Sequence, residues 1–430
     1  MKNKYHRWLS AEIDQWVLED LLDEARAVAL RKRYPVSGSG WGQSILSVIG
    51  ATVAGLGIIL FFVYNWAEMH KWLKLTLVFA GLMLSHGAAL WVARRHPTHR
   101  GVIEGLHVLG TMMFGAGIWL VAQIYHMDEH YPDALLIWGL GALGLAWAIP
   151  SLAQAYLSLL LIMMWSFSEL FGFKTIHHSA LLLIVAGVIP LAWSKGSRTL
   201  LAFGLLTFTL LVLFAVIQVE DESLFVLVML YLSILYILTG LLVSESSFPD
   251  SHGVLKFLGF GIYLFILYLL SFPDLYAELD GIGLTEWANR LYFTTALVVL
   301  SAGWTWVLTR RYGALGWSWR WQWMLITVSC VLISAECLGA LRFGWFHAIA
   351  MNALFLTHCV IFILQGARAA NAKLVTIACL LISLLVMTRF IDLFESLLLR
   401  GLAFLVLGAG LFVIGNFYSR LRKQDQEVPV

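Results

Sequence analysis

The chain has 430 residues, 60% of them hydrophobic and 13% charged, with a formal net charge of +2. Soluble proteins carry about a quarter charged residues, so an ordinary water-soluble enzyme is excluded, and no basic stripe is present to release the counterions of a nucleic-acid partner. The apolar residues fall in runs long enough for bilayer spans, each about twenty residues of helix, and the span is the unit in which the chain is read.

Residues 1–40 are the exception. The stretch RWLSAEIDQWVLEDLLDEARAVALRKRYPVSGSG predicts a short cytoplasmic helical hairpin followed by a flexible linker. Ser10 is placed to cap the first helix, with Glu12 and Asp14 in its first turn. Ile13, Trp16 and Val17 recur at helical spacing, and Leu22, Ala25, Val28 and Ala29 continue an apolar face. Asp23 opens the second helix and PVSGSG closes it. Arg31, Lys32 and Arg33 read as a positive inner flank of the first span, with contact to anionic lipid as the alternative. The first apolar run is too long for the h-region of a signal peptide, so it is expected to stay as an uncleaved anchor.

Beyond the linker, about fourteen spans fit the twenty-residue ruler. They run near 44–66, 72–93, 102–125, 133–149, 152–172, 179–194, 199–218, 223–243, 254–272, 291–309, 322–341, 345–365, 372–389 and 399–418. Pro150 and Pro190 cut the fourth to sixth close. The expected fold is all-α: a polytopic transmembrane helix bundle over 41–420, the hairpin in front of it, and a cytoplasmic tail at 421–430.

With both termini inside, Lys and Arg favour the inner segments by roughly three to one. The inner group includes Arg94, Arg95, Lys195, Arg198, Arg310, Arg311 and Arg420, whereas Asp128, Glu129, Asp133, Asp221, Glu222, Asp274 and Asp280 make the outer loops acidic. Trp66, Trp72, Trp91, Trp317, Trp319 and Trp321 fall at span ends, as an interfacial belt does. Cys330, Cys337, Cys359 and Cys379 lie in apolar runs without C-x-x-C spacing and read as small buried hydrophobes.

The hairpin with RWLSAEIDQWV and RKRY is followed by the glycine-bearing span GATVAGLGIILFFVYNW, then by GAGIWLVAQIYH and ALLIWGLGALGLAW. In that order these segments resemble the membrane proteins grouped as domain of unknown function 2157, best over about residues 8–170. The tail RFIDLFESLLLRGLAFLVLGAGLF resembles the same group. The resemblance implies a bacterial inner-membrane protein with a cytoplasmic helical front end. It implies no reaction, ligand or catalytic residue.

Tyr125 to Pro132 reads YHMDEHYP, and His126, Glu129 and His130 spell H-x-x-E-H, in which two histidines hold zinc beside a glutamate base. That chemistry needs the motif on one helix, so that the histidines share a face. Here the third span is ending and Pro132 follows at once, which works against a helix through His130. His177 or His178, in a loop on the same predicted side, is the nearest source of a third ligand. An acidic loop containing two histidines accounts for the stretch, so no catalytic residue, metal ligand or cofactor is assigned.

Ionisable and amide groups inside or at the ends of spans are the better candidates, because a charge removed from water must be paired. Asn65, Gln123, Tyr125, His126, Glu336, Arg389, Asp392 and Arg400 cluster at outer span ends and are taken as a candidate ligand site for a small molecule or ion. Arg389 and Asp392 stand three apart and share a helix face. Asp392, Glu395 or Glu336 could hold the two arginines, and a structural ion pair clipping two helix ends is the alternative to a ligand. Glu104 reads as snorkelling, His107 as bonded to a neighbouring helix, and His86 and His358 as core histidines.

Residues 115–125 (GAGIWLVAQIY) and 408–418 (GAGLFVIGNFY) agree in residue type position by position, and the predicted topology would make such a repeat inverted, as in many transporters. Close helix packing at the glycines explains the same pattern. Three functional classes remain: a transporter-like protein with an outward polar site, a non-catalytic scaffold or sensor docking a cytoplasmic protein at the hairpin, and a membrane-embedded metal-dependent hydrolase, for which only the histidine-acid loop speaks.

Overall fold

A computed structural model describes residues 2–19, 21–33, 70–126, 130–149, 151–218, 221–243, 248, 250–273, 317–338 and 345–393, with separate helical residues within 45–60, 295–310 and 405–413. Among the described residues every regular element is a helix. Two compact units divide the chain, Met1–Leu191 and Ala192–Val430.

The first unit opens with α1 (Lys2–Leu18) and α2 (Glu24–Arg33), the expected hairpin. Ile13 and Ala27 are buried, and the Arg31 guanidinium donates to the Asp14 carboxylate at 2.5 Å. Asp23 begins the second helix as expected, its carbonyl accepting from Arg26 and Ala27. Ser10 does not cap the first. The preceding residues contain no Gly or Pro to stop a helix, so α1 begins at Lys2 and carries Ser10 in its middle.

There follow α3 (Val48–Gly57), α4 (Lys71–Arg95), α5 (Arg100–Ile124), α6 (Pro132–Ala148), α7 (Leu152–Phe173) and α8 (His178–Ser194), which ends just past the division. The second unit continues with α9 (Arg198–Ile217), α10 (Glu222–Leu242), α11 (Ser251–Leu270), α12 (Trp317–Cys337), α13 (Trp345–Arg368) and α14 (Ala372–Leu393). Among the described residues eight of these, α4, α5, α7, α9, α10, α11, α13 and α14, are long and apolar enough to cross a membrane.

Among the described residues a helix stands at each expected span except the tenth and fourteenth. Helices α3, α6 and α8 stand at the predicted first, fourth and sixth spans, α6 and α8 with bounds within one residue of those expected. A 17-residue helix such as α6 reaches about 25 Å, less than the roughly 30 Å hydrocarbon core. Helix α12 occupies the predicted eleventh span. The predicted tenth and fourteenth, at 291–309 and 399–418, lie largely outside the described residues.

The two prolines act differently. Ile149, just before Pro150, is extended (φ −117°, ψ 125°), as steric contact with the proline ring requires, and the chain breaks there. Ser151 then caps α7 by accepting from the Gln154 N–H at 3.4 Å. Pro190 does not break α8. The widened π-turn Ile184–Val188 stands directly before the proline, where a missing N–H and the ring would otherwise disrupt the α ladder.

The outer faces are apolar. Met83 (74% exposed), Leu84 and Phe257 project away from the protein, an arrangement suited to lipid and costly in water. Hydroxyls on such faces bond within their own helix: Thr76 donates to the Trp72 carbonyl at 2.8 Å and Thr357 to Ala353 at 2.7 Å. That satisfies them where no water is at hand.

Inside the first unit α4 packs on α5 and α6 on α7. Trp138 donates to the Thr111 carbonyl at 2.8 Å, and the Thr111 hydroxyl donates to Gln154 at 3.0 Å, stitching α5, α6 and α7 together. Within the second unit a core built around Ile237, Ile266, Leu267, Met351, Phe355 and Cys359 joins α10, α11 and α13. Helices α10 and α11 approach closely at two glycines: a Cβ on Gly259 would stand 2.9 Å from the Ser233 carbonyl oxygen, and one on Gly240 3.2 Å from the Lys256 nitrogen. All four cysteines are free thiols, buried or partly buried.

Candidate functional site

At one end of the first unit, Glu169 is buried to 1% exposure inside the span-length helix α7. A carboxylate there is tolerated only with partners that replace water, and four groups supply them. The His130 Nε2 stands 2.5 Å from Oε1 and the His177 Nε2 3.4 Å from Oε2. Trp165 donates its indole N–H to Oε1 at 3.3 Å, and the Thr175 hydroxyl donates to Oε2 at 3.0 Å.

Local backbone geometry builds this convergence. Helix α7 ends in a π-turn over Ser168–Phe173, and Lys174 in the left-handed region (φ 54°) reverses the chain. The Thr175 N–H then closes on the Glu169 carbonyl at 3.1 Å, so Thr175 and His177 return over the carboxylate. His130 arrives from the segment ahead of α6. Rings wall the site: Phe173 lies 4.3 Å from the His130 ring, and Trp165 stacks on His177 at 5.3 Å. Asp133, in the first turn of α6, brings a second carboxylate within 4.8 Å of the His130 and Glu169 ligand atoms.

The H-x-x-E-H reading ends here. Helix α5 stops at Ile124 and α6 starts at Pro132, so His126 and His130 share no helix. His126 is an exposed turn residue at φ 53°, and Glu129 lies outside the described residues.

The second unit carries a different constellation, wholly enclosed. The Tyr263 hydroxyl on α11 lies 2.7 Å from Ser329 on α12, to which it donates, and 2.9 Å from the His358 Nε2 on α13. The other ring nitrogen of His358 meets the Gln322 side-chain oxygen on α12. All four side chains have no solvent exposure. Hydroxyl and imidazole each donate and accept, so Ser329, Tyr263 and His358 form a continuous polar chain across three helices, with an amide at its end.

Near the predicted outer ends of the spans, Arg389 on α14 donates to the Ser271 hydroxyl at 2.5 Å and to the Asn352 side-chain oxygen at 3.3 Å. Its guanidinium lies 3.9 Å over the Phe272 ring. This meeting puts the end of α11, the start of α13 and the end of α14 on one side, as the predicted alternation has them. Glu336 on α12 pairs with His347 on α13, both buried.

Of the residues picked from sequence, Glu336 and Arg389 are thus held by partners in the second unit. Gln123, Tyr125 and His126 sit together at the exposed end of α5 in the first. Asn65, Arg400 and the side chain of Asp392 lie outside the described residues. His107 meets His86 across helices, Nδ1 to Nδ1 at 3.0 Å, so the bonded-histidine reading of His107 agrees with the structure, and both His86 and His358 have partners. Sequence reasoning missed Glu169, although a carboxylate within an apolar run was signal enough. It also missed Tyr263, Ser329 and Gln322, residue types too common in spans to stand out.

Length, apolar faces and internally satisfied polar groups define a polytopic α-helical membrane protein. Residues 14–155 match the model of the family described as "Predicted membrane protein (DUF2157)", within the stretch where the sequence resemblance is best. No curated protein and no solved structure matches the chain.

Proposed function

We propose that this is a transporter-like protein of the bacterial inner membrane, both termini cytoplasmic, in which the second unit passes a proton or small polar solute. The observation that carries the reading is the enclosed chain Ser329–Tyr263–His358–Gln322. Interhelical hydrogen bonds in membranes contribute only about 0.6 kcal/mol on average, so packing stability gives little reason to place four such groups on three helices. Ionisable groups held inside a bundle commonly line ion and substrate paths or proton relays. In this reading Arg389, with Asp392 and Arg400 on the same connection, draws an anionic or polar solute to the outer end of the second unit, where the buried Glu336 also belongs, and Asn65, Gln123, Tyr125 and His126 belong to the outer end of the first.

The test is flux. Purified protein in liposomes is challenged with a panel of ions and small metabolites under an imposed pH gradient. Transport of one member, lost in His358→Leu while the protein stays monodisperse, supports the proposal. Flat responses across the panel overturn it in favour of a scaffold or sensor. That second reading draws on the hairpin, which packs Ile13 and Ala27 inside and leaves Leu18 and Leu21 at its exposed turn, a surface suited to a cytoplasmic protein.

A further inference from the structure

We propose that His130, Asp133 and Glu169, joined by His177 on the other oxygen of Glu169, bind a divalent transition-metal ion of the zinc type. This does not rest on the transport reading, since every residue belongs to the first unit. The residues also differ from the H-x-x-E-H set, sharing with it His130 and the third-ligand candidate His177, while Asp133 and Glu169 replace His126 and Glu129.

The donor set is the first argument. One imidazole would neutralise a buried carboxylate, yet two imidazoles, from segments on either side of α6 and α7, both aim Nε2 at Glu169. Two imidazole nitrogens with carboxylate oxygens suit zinc and its neighbours better than the all-oxygen cages of calcium or magnesium. Spacing is the second argument. Ligand atoms bound at about 2.0–2.1 Å in a tetrahedron stand roughly 3.3 Å apart. The His130, Asp133 and Glu169 ligand atoms all lie within 4.8 Å of one another, and His177 stands 3.4 Å from the second Glu169 oxygen. His130, at 2.5 Å, must move out by less than about 1 Å as the cation replaces the proton it shares with Glu169, and its side chain is one-third exposed.

The supporting groups are the third argument. Metal-bound carboxylates are oriented by outer hydrogen bonds, and Thr175 and Trp165 donate one to each oxygen of Glu169. Phe173 and Trp165 pack against the two imidazoles and hold their orientation.

Chelator-stripped full-length protein in detergent would be titrated with Co2+ as a visible probe, with Zn2+ as competitor. The expected result is one Co2+ per chain, with the intense visible bands of a four- or five-coordinate ion, displaced by Zn2+. His177→Ala and Glu169→Gln should each weaken Co2+ by more than about tenfold, and Thr175→Val by about tenfold through lost orientation. His178→Ala, one residue away and exposed, should leave binding unchanged. Because His177 sits on a surface turn, its variant decides even if Glu169→Gln does not fold. Absence of stoichiometric Co2+, or binding indifferent to His177→Ala, would overturn the proposal and leave a plain buried ion pair.

Discussion

Tyr263 and His358 are 95 residues apart in the chain and 2.9 Å apart in space. Both are fully enclosed, and each has a second polar partner, Ser329 for the tyrosine and Gln322 for the histidine. Tyr263→Phe keeps the ring and its packing but takes a partner from both His358 and Ser329. Unfolding in mixed micelles should show a loss of about 0.5–1.5 kcal/mol, two interhelical bonds at about 0.6 kcal/mol each. A variant as stable as the parent would mean that the hydroxyl is not bonded in the membrane.

The α10–α11 contact gives a sharper steric expectation. Gly259 has no room for a Cβ against Ser233 and Ile237, whereas Gly253 and Gly261 on the same helix face open space. Gly259→Ala should therefore cost about 1–3 kcal/mol, while Gly253→Ala and Gly261→Ala should be neutral or gain up to about 1 kcal/mol from helix propensity. Thermal melts of the three variants side by side check this, and equal melting temperatures would contradict the close approach.

Arg389 is held by shape as well as charge. Its planar guanidinium bonds Ser271 and Asn352 while lying over Phe272. Lysine keeps the charge but has neither the fork nor the flat face. Arg389→Lys should lower stability by about 1–2 kcal/mol, nearly as much as Arg389→Met. If lysine restores full stability, charge alone matters at this site and an anion becomes the better explanation of the arginine.

Sidedness is open to direct measurement. Single cysteines placed near each terminus of a variant lacking the four native ones should both resist a membrane-impermeant thiol reagent applied from outside, whereas one placed beside Tyr131 should react. Labelling of only one terminus would require an odd number of crossings and would reverse part of the charge assignment.

Much of the architecture was legible in the sequence because hydropathy is a local property. Runs of apolar residues fix where helices run, as α4, α5, α9, α10 and α11 show, and Asp23 announces the second helix of the hairpin. Local signals also misled. Ser10 has the chemistry of a cap but no breaker ahead of it, and Pro190 would end a helix except that a π-turn absorbs it. The bounds of α6 and α8, by contrast, follow the apolar runs 133–149 and 179–194 to within one residue.

What the amino-acid order determined by itself is the solvent, lipid around most of the chain, and with it the helical class, since every backbone polar group must be satisfied within its own segment. What only the tertiary structure decided is which rare polar groups meet. His130 and His177 converge on Glu169, and Tyr263 joins Ser329 to His358. Those meetings depend on how helices rotate and cross, a matter of side-chain packing between distant segments that no local periodicity records.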